Sequence, residues 1–263
     1  MLSHLKKIWL LRYLRRVFLA SKYINNKYAQ IFKWGLTSEE DYNYTFSLTP
    51  ENLLYLAQTI SVITGQEVQK IESYFAEIEN NTDLKNAISK LSNPDVHFGK
   101  RLGWYAFARI LKPKIIVETG VEKGSGAVVL CEALLKNIEE GFYGKYIGTD
   151  IDPKAGLFLN PNKYKLVGEI IYGDSLTTLK ALNETIDLFI NDSDHSAEYE
   201  YKEYQTIKNK ISDSAIILGD NAHANDKLSV FSKETGRNFI FFKEFPRNHW
   251  YEGGGIGISF LKK

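Results

Sequence analysis

The chain is first bounded by what it lacks. Its 263 residues include one cysteine, Cys131, so there is no intramolecular disulfide framework and the usage fits a reducing compartment. Cys131 lies in the apolar run "AVVLCEALL" and reads as a core position, not a nucleophile. No run of about 20 uninterrupted apolar residues occurs, so no transmembrane helix is expected. No signal peptide is expected either: Arg12, Arg15 and Arg16 interrupt the apolar stretch, and no small-residue cleavage site follows. A large net charge is also missing. The balance is +1, which argues against a polyanion binder. No internal repeat or low-complexity linker is present, and 44% hydrophobic with 25% charged residues is ordinary for a soluble globular chain.

One regional absence stands out: no acid precedes Glu39, while Lys6, Lys7, Arg12, Arg15, Arg16, Lys22, Lys27 and Lys33 all do. A basic, apolar helix of this kind can lie on an anionic membrane or a partner, or be a solvated helix docked on its own domain. Its charges do not collect on one helical face, which favours the second reading. The expected location is the cytoplasm, with the inner face of a membrane as the variant the basic segment suggests.

Residues 1 to about 112 read as helices. "LTPENLLYLAQTIS" offers Thr49 as N-cap, Pro50 at the first helical position and Glu51 in the first turn. "GQEVQKIESYFAEIE" has apolar residues at helical spacing, and "GKRLGWYAFARILKP" is a helix stopped by Pro113. From Lys114 short apolar strands alternate with helical stretches. Strands are expected at 114–118, 146–149, 169–172, 186–191 and 215–219, with helices near 126–138, 154–159, 176–183, 198–210 and 226–235. "NFIFFKEF" and "GIGISFLKK" follow with no helix between them. The expected fold is therefore α/β: a doubly wound, mostly parallel, seven-stranded Rossmann-like sheet with a terminal antiparallel hairpin. A helical N-terminal region (1–95) precedes the sheet domain (96–263) and is a candidate lid, dimerisation or membrane-surface element.

Ligands of such sheets bind beyond the carboxyl ends of the strands. There the chain places the glycine loop "VETGVEKGSGA", with Gly120, Gly124 and Gly126, and the strand-end acids Glu118, Asp150 and Asp174. The spacing G-x-x-x-G-x-G is not the dinucleotide fingerprint. Five parallel units and a hairpin, with "GTDID", "GDSL" and "IDLFINDSDHS", resemble the class I S-adenosylmethionine-dependent methyltransferases, in particular the small-molecule and sugar O-methyltransferases of methyltransferase family 24. The resemblance covers roughly Phe98 to the end. It implies that Glu118, Gly120, Gly124 and Ser125 line the methionine end of S-adenosylmethionine. Asp150, with Ile151, would meet the ribose, and Asp174 and Ser175 the adenine.

Strand four ends in Asp192 and strand five in Asp220 and Asn221. Neighbouring strand ends lie about 4.8 Å apart, so these oxygens can converge on a hard cation, Mg²⁺ above all. The set resembles the metal site of catechol O-methyltransferases. His195 falls where those enzymes carry a lysine base, so the resemblance makes Asp192 and His195 the catalytic pair; imidazole suits proton removal near neutral pH. Asp194 or Ser196 is expected to cap the next helix, and "EYEYKEY" to form its outer face. Arg247, His249, Trp250 and Tyr251, in the hairpin loop, are candidate substrate contacts. The implied activity is O-methylation of a sugar, glycan or small metabolite, and a lipid-linked sugar is one candidate acceptor. A metal-independent enzyme and a NAD- or nucleotide-binding protein are the alternatives. No nucleic-acid partner is expected, since no N-P-P-Y-type tetrapeptide follows strand four; a homo-oligomer stays open.

Overall fold

The computed structural model describes residues 9–37, 46–91, 96–220 and 222–262. Seven strands form one sheet in the order β3-β2-β1-β4-β5-β7-β6. They are β1 (Ile115–Thr119), β2 (Lys145–Asp150), β3 (Gly168–Tyr172), β4 (Ile186–Asn191), β5 (Ile211–Gly219), β6 (Asn238–Lys243) and β7 (Gly255–Phe260). β1 to β5 pair in parallel. β7 is antiparallel to both β5 and β6, so the hairpin's returning strand inserts between its partner and the parallel sheet. The chain runs outward from β1 to β3 and then crosses to β4 on the other side of β1, which makes the β1/β4 boundary the switch point where such sheets open a crevice.

Both faces of the sheet are covered, and β4 shows how. Leu188 and Ile190 bury in one apolar cluster, while Phe189 between them buries in the other, because successive side chains point to opposite faces. α6 (Ser125–Glu139), α7 (Ser175–Ala181), α8 (Ala197–Ile207) and α9 (Lys227–Glu234) are the crossover helices. The helix expected at 154–159 does not form. Pro153, Gly156 at φ 87° and Pro161 break the segment, leaving two short 3-10 turns at Leu157–Leu159 and Asn162–Leu166.

Ahead of the sheet lie α1 (Trp9–Thr37), α2 (Pro50–Thr64), α3 (Val68–Glu79), α4 (Thr82–Ser89) and α5 (Arg101–Leu111). Thr49 caps α2 as its sequence predicts, its hydroxyl accepting from Asn52 N at 3.2 Å. α2 to α4 share the main core: Leu56, Ile60, Ile71 and Ile78 bury in the same cluster as Trp104, Leu130 and Ile258. Arg109 of α5 pairs with Glu77 of α3 at 2.8 Å and fastens the two helices. α1 differs, because most of its described side chains are exposed. Its last turns reach the loop after β6, where Trp34 packs edge-on against His249 and Trp250 at 5.4 and 6.2 Å. No described helix is long and apolar enough to cross a membrane.

Candidate active site

A cavity of about 660 Å³ opens at the carboxyl ends of β1, β2, β4 and β5. Its floor is the turn from β1 into α6. Gly120, at φ 82°, presses its backbone onto the end of β4: an added Cβ would collide with the carbonyl of Asp192. Asp150 fixes the same turn from β2, its Oδ2 accepting from Val121 N at 2.9 Å and Glu122 N at 2.8 Å, while Oδ1 accepts from Asp152 N at 2.8 Å. The carboxylate thus pre-shapes the loop and keeps further lone pairs for a ligand. Gly124 opens α6 in a left-handed conformation, and Ser125 is the first helical residue.

Glu118 lies beneath the first turn of α6, where a Cβ at Gly126 would collide with its carboxylate and with Trp104. It is 1% exposed and accepts from the Tyr146 hydroxyl at 2.5 Å. Burial outweighs that bond and the charge of Arg101, pushing its pKa up to about 8.

The opposite wall is a second acidic group. Asp192 N donates to Thr119 O at 2.9 Å, tying the end of β4 to β1, and Asp220 N donates to Asn191 O at 3.0 Å, tying the end of β5 to β4. Burial raises the Asp192 pKa well above the carboxylate range, and the neighbouring Asp220 adds to the shift. Burial also opposes ionisation of Asp220, but Lys100 and a hydrogen bond from Asp192 outweigh it and hold its pKa low. The two carboxyls therefore titrate as a pair, Asp192 shifted up and Asp220 down. The Lys100 ammonium sits on Asp220 Oδ1, with side chains 12% and 14% exposed. Burial disfavours its charge, yet Asp220, Glu244 and Asp192 together hold its pKa above the usual lysine value. Glu244 also anchors the Lys100 backbone, its Oε1 accepting from Lys100 N at 2.9 Å.

The remaining sequence-predicted residues divide. Ser175, Ile151 and Asp174 line the cavity, and Ile151 is 80% exposed. Asp174 also caps α7, accepting from Thr177 N at 2.8 Å and from the Tyr199 hydroxyl at 2.7 Å, the latter being the main reason its pKa is lowered. His195 stands exposed on the cavity lining. Asp194, not the Ser196 hydroxyl, makes the polar contact at the start of α8, accepting from Ser196 N at 2.6 Å. Asn221 lies outside the described residues. In the hairpin loop only Tyr251 reaches the cavity. Arg247 and Trp250 are exposed away from it, and His249 is buried against Phe46, Trp34 and Trp250, so these three are packing and surface residues, not cavity contacts.

"EYEYKEY" is not an outer face either. Glu200, Glu203 and Tyr204 are fully buried, because polar groups wait beneath α8. Glu203 accepts from Ser193 at 2.8 Å, Thr119 at 3.2 Å, Ser175 and Asn191. Sequence reasoning also missed Lys100. Its available signal was electrostatic: two cations, Lys100 and Arg101, open α5, where the helix dipole disfavours positive charge.

Residues 117–222 match the family model described as a methyltransferase domain. Over that stretch the chain is similar to methyltransferase domains. No curated protein matches it in sequence. Among solved structures, a methyltransferase from Geobacter sulfurreducens is 18% identical, covering 60% of this chain and 76% of its own, with TM-score 0.47. The S-adenosylhomocysteine-bound methyltransferase PaMTH1 of Podospora anserina is 22% identical over 61% and 77%, with TM-score 0.45. The O-methyltransferase TomG of Streptomyces achromogenes is 12% identical over 82% and 100%, with TM-score 0.47. The methyltransferase domain holds the whole switch point, from the end of β1 to the end of β5.

Among the described residues the expected metal set reduces to Asp192 and Asp220, because Asn221 lies outside them. Asp220 is paired with Lys100, and no group of three or more His, Cys, Asp and Glu side chains among the described residues is arranged to hold a metal.

Proposed function

We propose that the chain is an S-adenosylmethionine-dependent O-methyltransferase whose acceptor is a hydroxyl of a sugar or another small hydroxylated metabolite. The observation that supports this most is Glu118, a buried carboxyl held far above its ordinary range beside a glycine turn. Such a group gains most from a ligand that brings a cation, and S-adenosylmethionine has both an ammonium and a sulfonium. When bound, it supplies the methyl group. Glu118 and the Gly120 turn would hold its amino-acid end, Asp150 would accept from the ribose, and Ile151 would lie against the adenine, with Asp174 and Ser175 at the adenine's polar edge.

The acceptor would enter from the Lys100 side. Lys100 places a positive charge where a metal-dependent enzyme places its cation, and it can orient and acidify a hydroxyl there. His195, on the cavity lining, takes the proton as oxygen bonds to carbon and the carbon–sulfur bond breaks. Cavity walls that exclude water and hold both partners supply alignment.

A second reading has Mg²⁺ displace Lys100 between Asp192 and Asp220; two facing carboxylates favour it. Calorimetry with S-adenosylhomocysteine and with NAD tests the main reading, and binding of NAD alone would end it. Methyl transfer to a panel of sugars and phenolic metabolites, with and without EDTA, separates the two forms. Turnover unchanged by EDTA supports the Lys100 form, and turnover restored only by Mg²⁺ supports the metal.

A further inference from the structure

We infer that α1 is an interfacial helix that docks the protein onto an anionic lipid surface. The 29 residues from Trp9 to Thr37 contain no Asp or Glu. At 1.5 Å per residue the helix is about 43 Å long, yet it is not apolar enough to span a bilayer. With its bounds known, the basic residues do collect. Leu14 and Phe32 stand five turns apart on one line of the helix, and Arg15 and Lys33 stand five turns apart on another. Val17, Tyr28, Ile31 and Leu36 fall beside the first line. Arg16 stands beside the second line. The apolar side chains of the first line are exposed, Phe32 and Leu36 by 72% each. The expectation of scattered charge is revised for these residues alone, since Lys6 and Lys7 lie outside the described residues.

The helix touches its own domain by the other side. Trp34 packs on His249 and Trp250, and Lys33 Nζ donates to Asn248 Oδ1 at 3.2 Å. Trp34 lies on the basic side of the wheel, so the apolar line faces away from the protein, with cations between it and the domain. That is the arrangement of a helix lying in the headgroup plane: apolar side chains enter the acyl boundary and Arg and Lys meet lipid phosphates. A second copy of the chain is a poorer occupant. It would cover the apolar line but leave the basic side without an acidic partner, since the helix holds no Asp or Glu.

Flotation with vesicles tests this without using turnover. The full chain should float with mixed phosphatidylcholine and phosphatidylglycerol vesicles and not with phosphatidylcholine alone. Arg15→Glu with Arg16→Glu should weaken binding by about fivefold or more per charge removed. Phe32→Asp with Leu36→Asp should abolish it. Retained S-adenosylhomocysteine binding shows that the variants fold; loss of that binding in the unaltered chain would instead count against the proposed function. Equal flotation of all forms, no flotation of the unaltered chain, or a dimer in sedimentation that Phe32→Asp dissolves would each overturn the inference.

Discussion

The two ends of the cavity treat buried negative charge in opposite ways. At the Asp192–Asp220 end the fold provides its own cation, Lys100, seated before any ligand arrives. At the Glu118 end burial dominates, and the carboxyl stays largely protonated near neutral pH. A pre-neutralised site gains little from a cationic ligand and can spend its ammonium on an anionic or developing oxyanion. A site left short of positive charge selects a ligand that brings one. Under the proposed function, this difference would put the cofactor at the first strand and the acceptor at the fourth and fifth.

The strongest way to break this contrast is Asp220→Ala. It strands a buried ammonium, so we expect about 3 kcal/mol of lost stability and turnover reduced about 10³-fold; thermal melts and initial rates report both. Lys100→Met should lower kcat about 10²-fold with the affinity for S-adenosylhomocysteine almost unchanged. If affinity falls as much as kcat, the two ends are not separate. The same variant leaves Asp192 and Asp220 facing each other, so calorimetry should detect tighter Mn²⁺ or Mg²⁺ binding than in the unaltered chain.

Next in size is the pH dependence at Glu118. Its raised pKa means the free protein holds a proton that a cationic ligand must expel. Affinity for S-adenosylhomocysteine, which keeps the ammonium, should therefore rise about tenfold per pH unit up to about pH 8 and level off above it. The sign for folding is the reverse. The raised pKa favours the folded state below the unfolded carboxyl's pKa, and that contribution is lost as pH climbs through about 8. Glu118→Gln should flatten the binding profile. The smallest effect is Tyr146→Phe: it removes a hydrogen bond that favours the ionised carboxylate, so the midpoint should move further up.

The strands β1 to β5 could be read in the sequence because stretches such as "IIVET" and "IDLFIN" are apolar enough for burial on both faces. The turn after β1 was equally plain from Gly120 and Gly124. Lys100 was not, since its partner Asp220 lies far along the chain and only the sheet brings them together. Glu203 failed for another reason. A glutamate amid tyrosines reads as surface until Ser175, Ser193, Thr119 and Asn191 are seen beneath it. The hairpin loop misled in the opposite direction: His249 has functional chemistry, but the segment after α1 pairs with this loop through Leu48 and Pro246 and turns the ring inward.

β7 stands between β5 and β6, although it follows both in the chain. As the protein leaves the ribosome, the parallel half of the sheet can assemble while the free edge of β5 stays unpaired. β6 has no neighbour to join until residues 255–260 emerge and slot in. For that interval an apolar edge is open to other nascent chains. The step that completes the sheet is therefore also the one on which its escape from aggregation during synthesis depends.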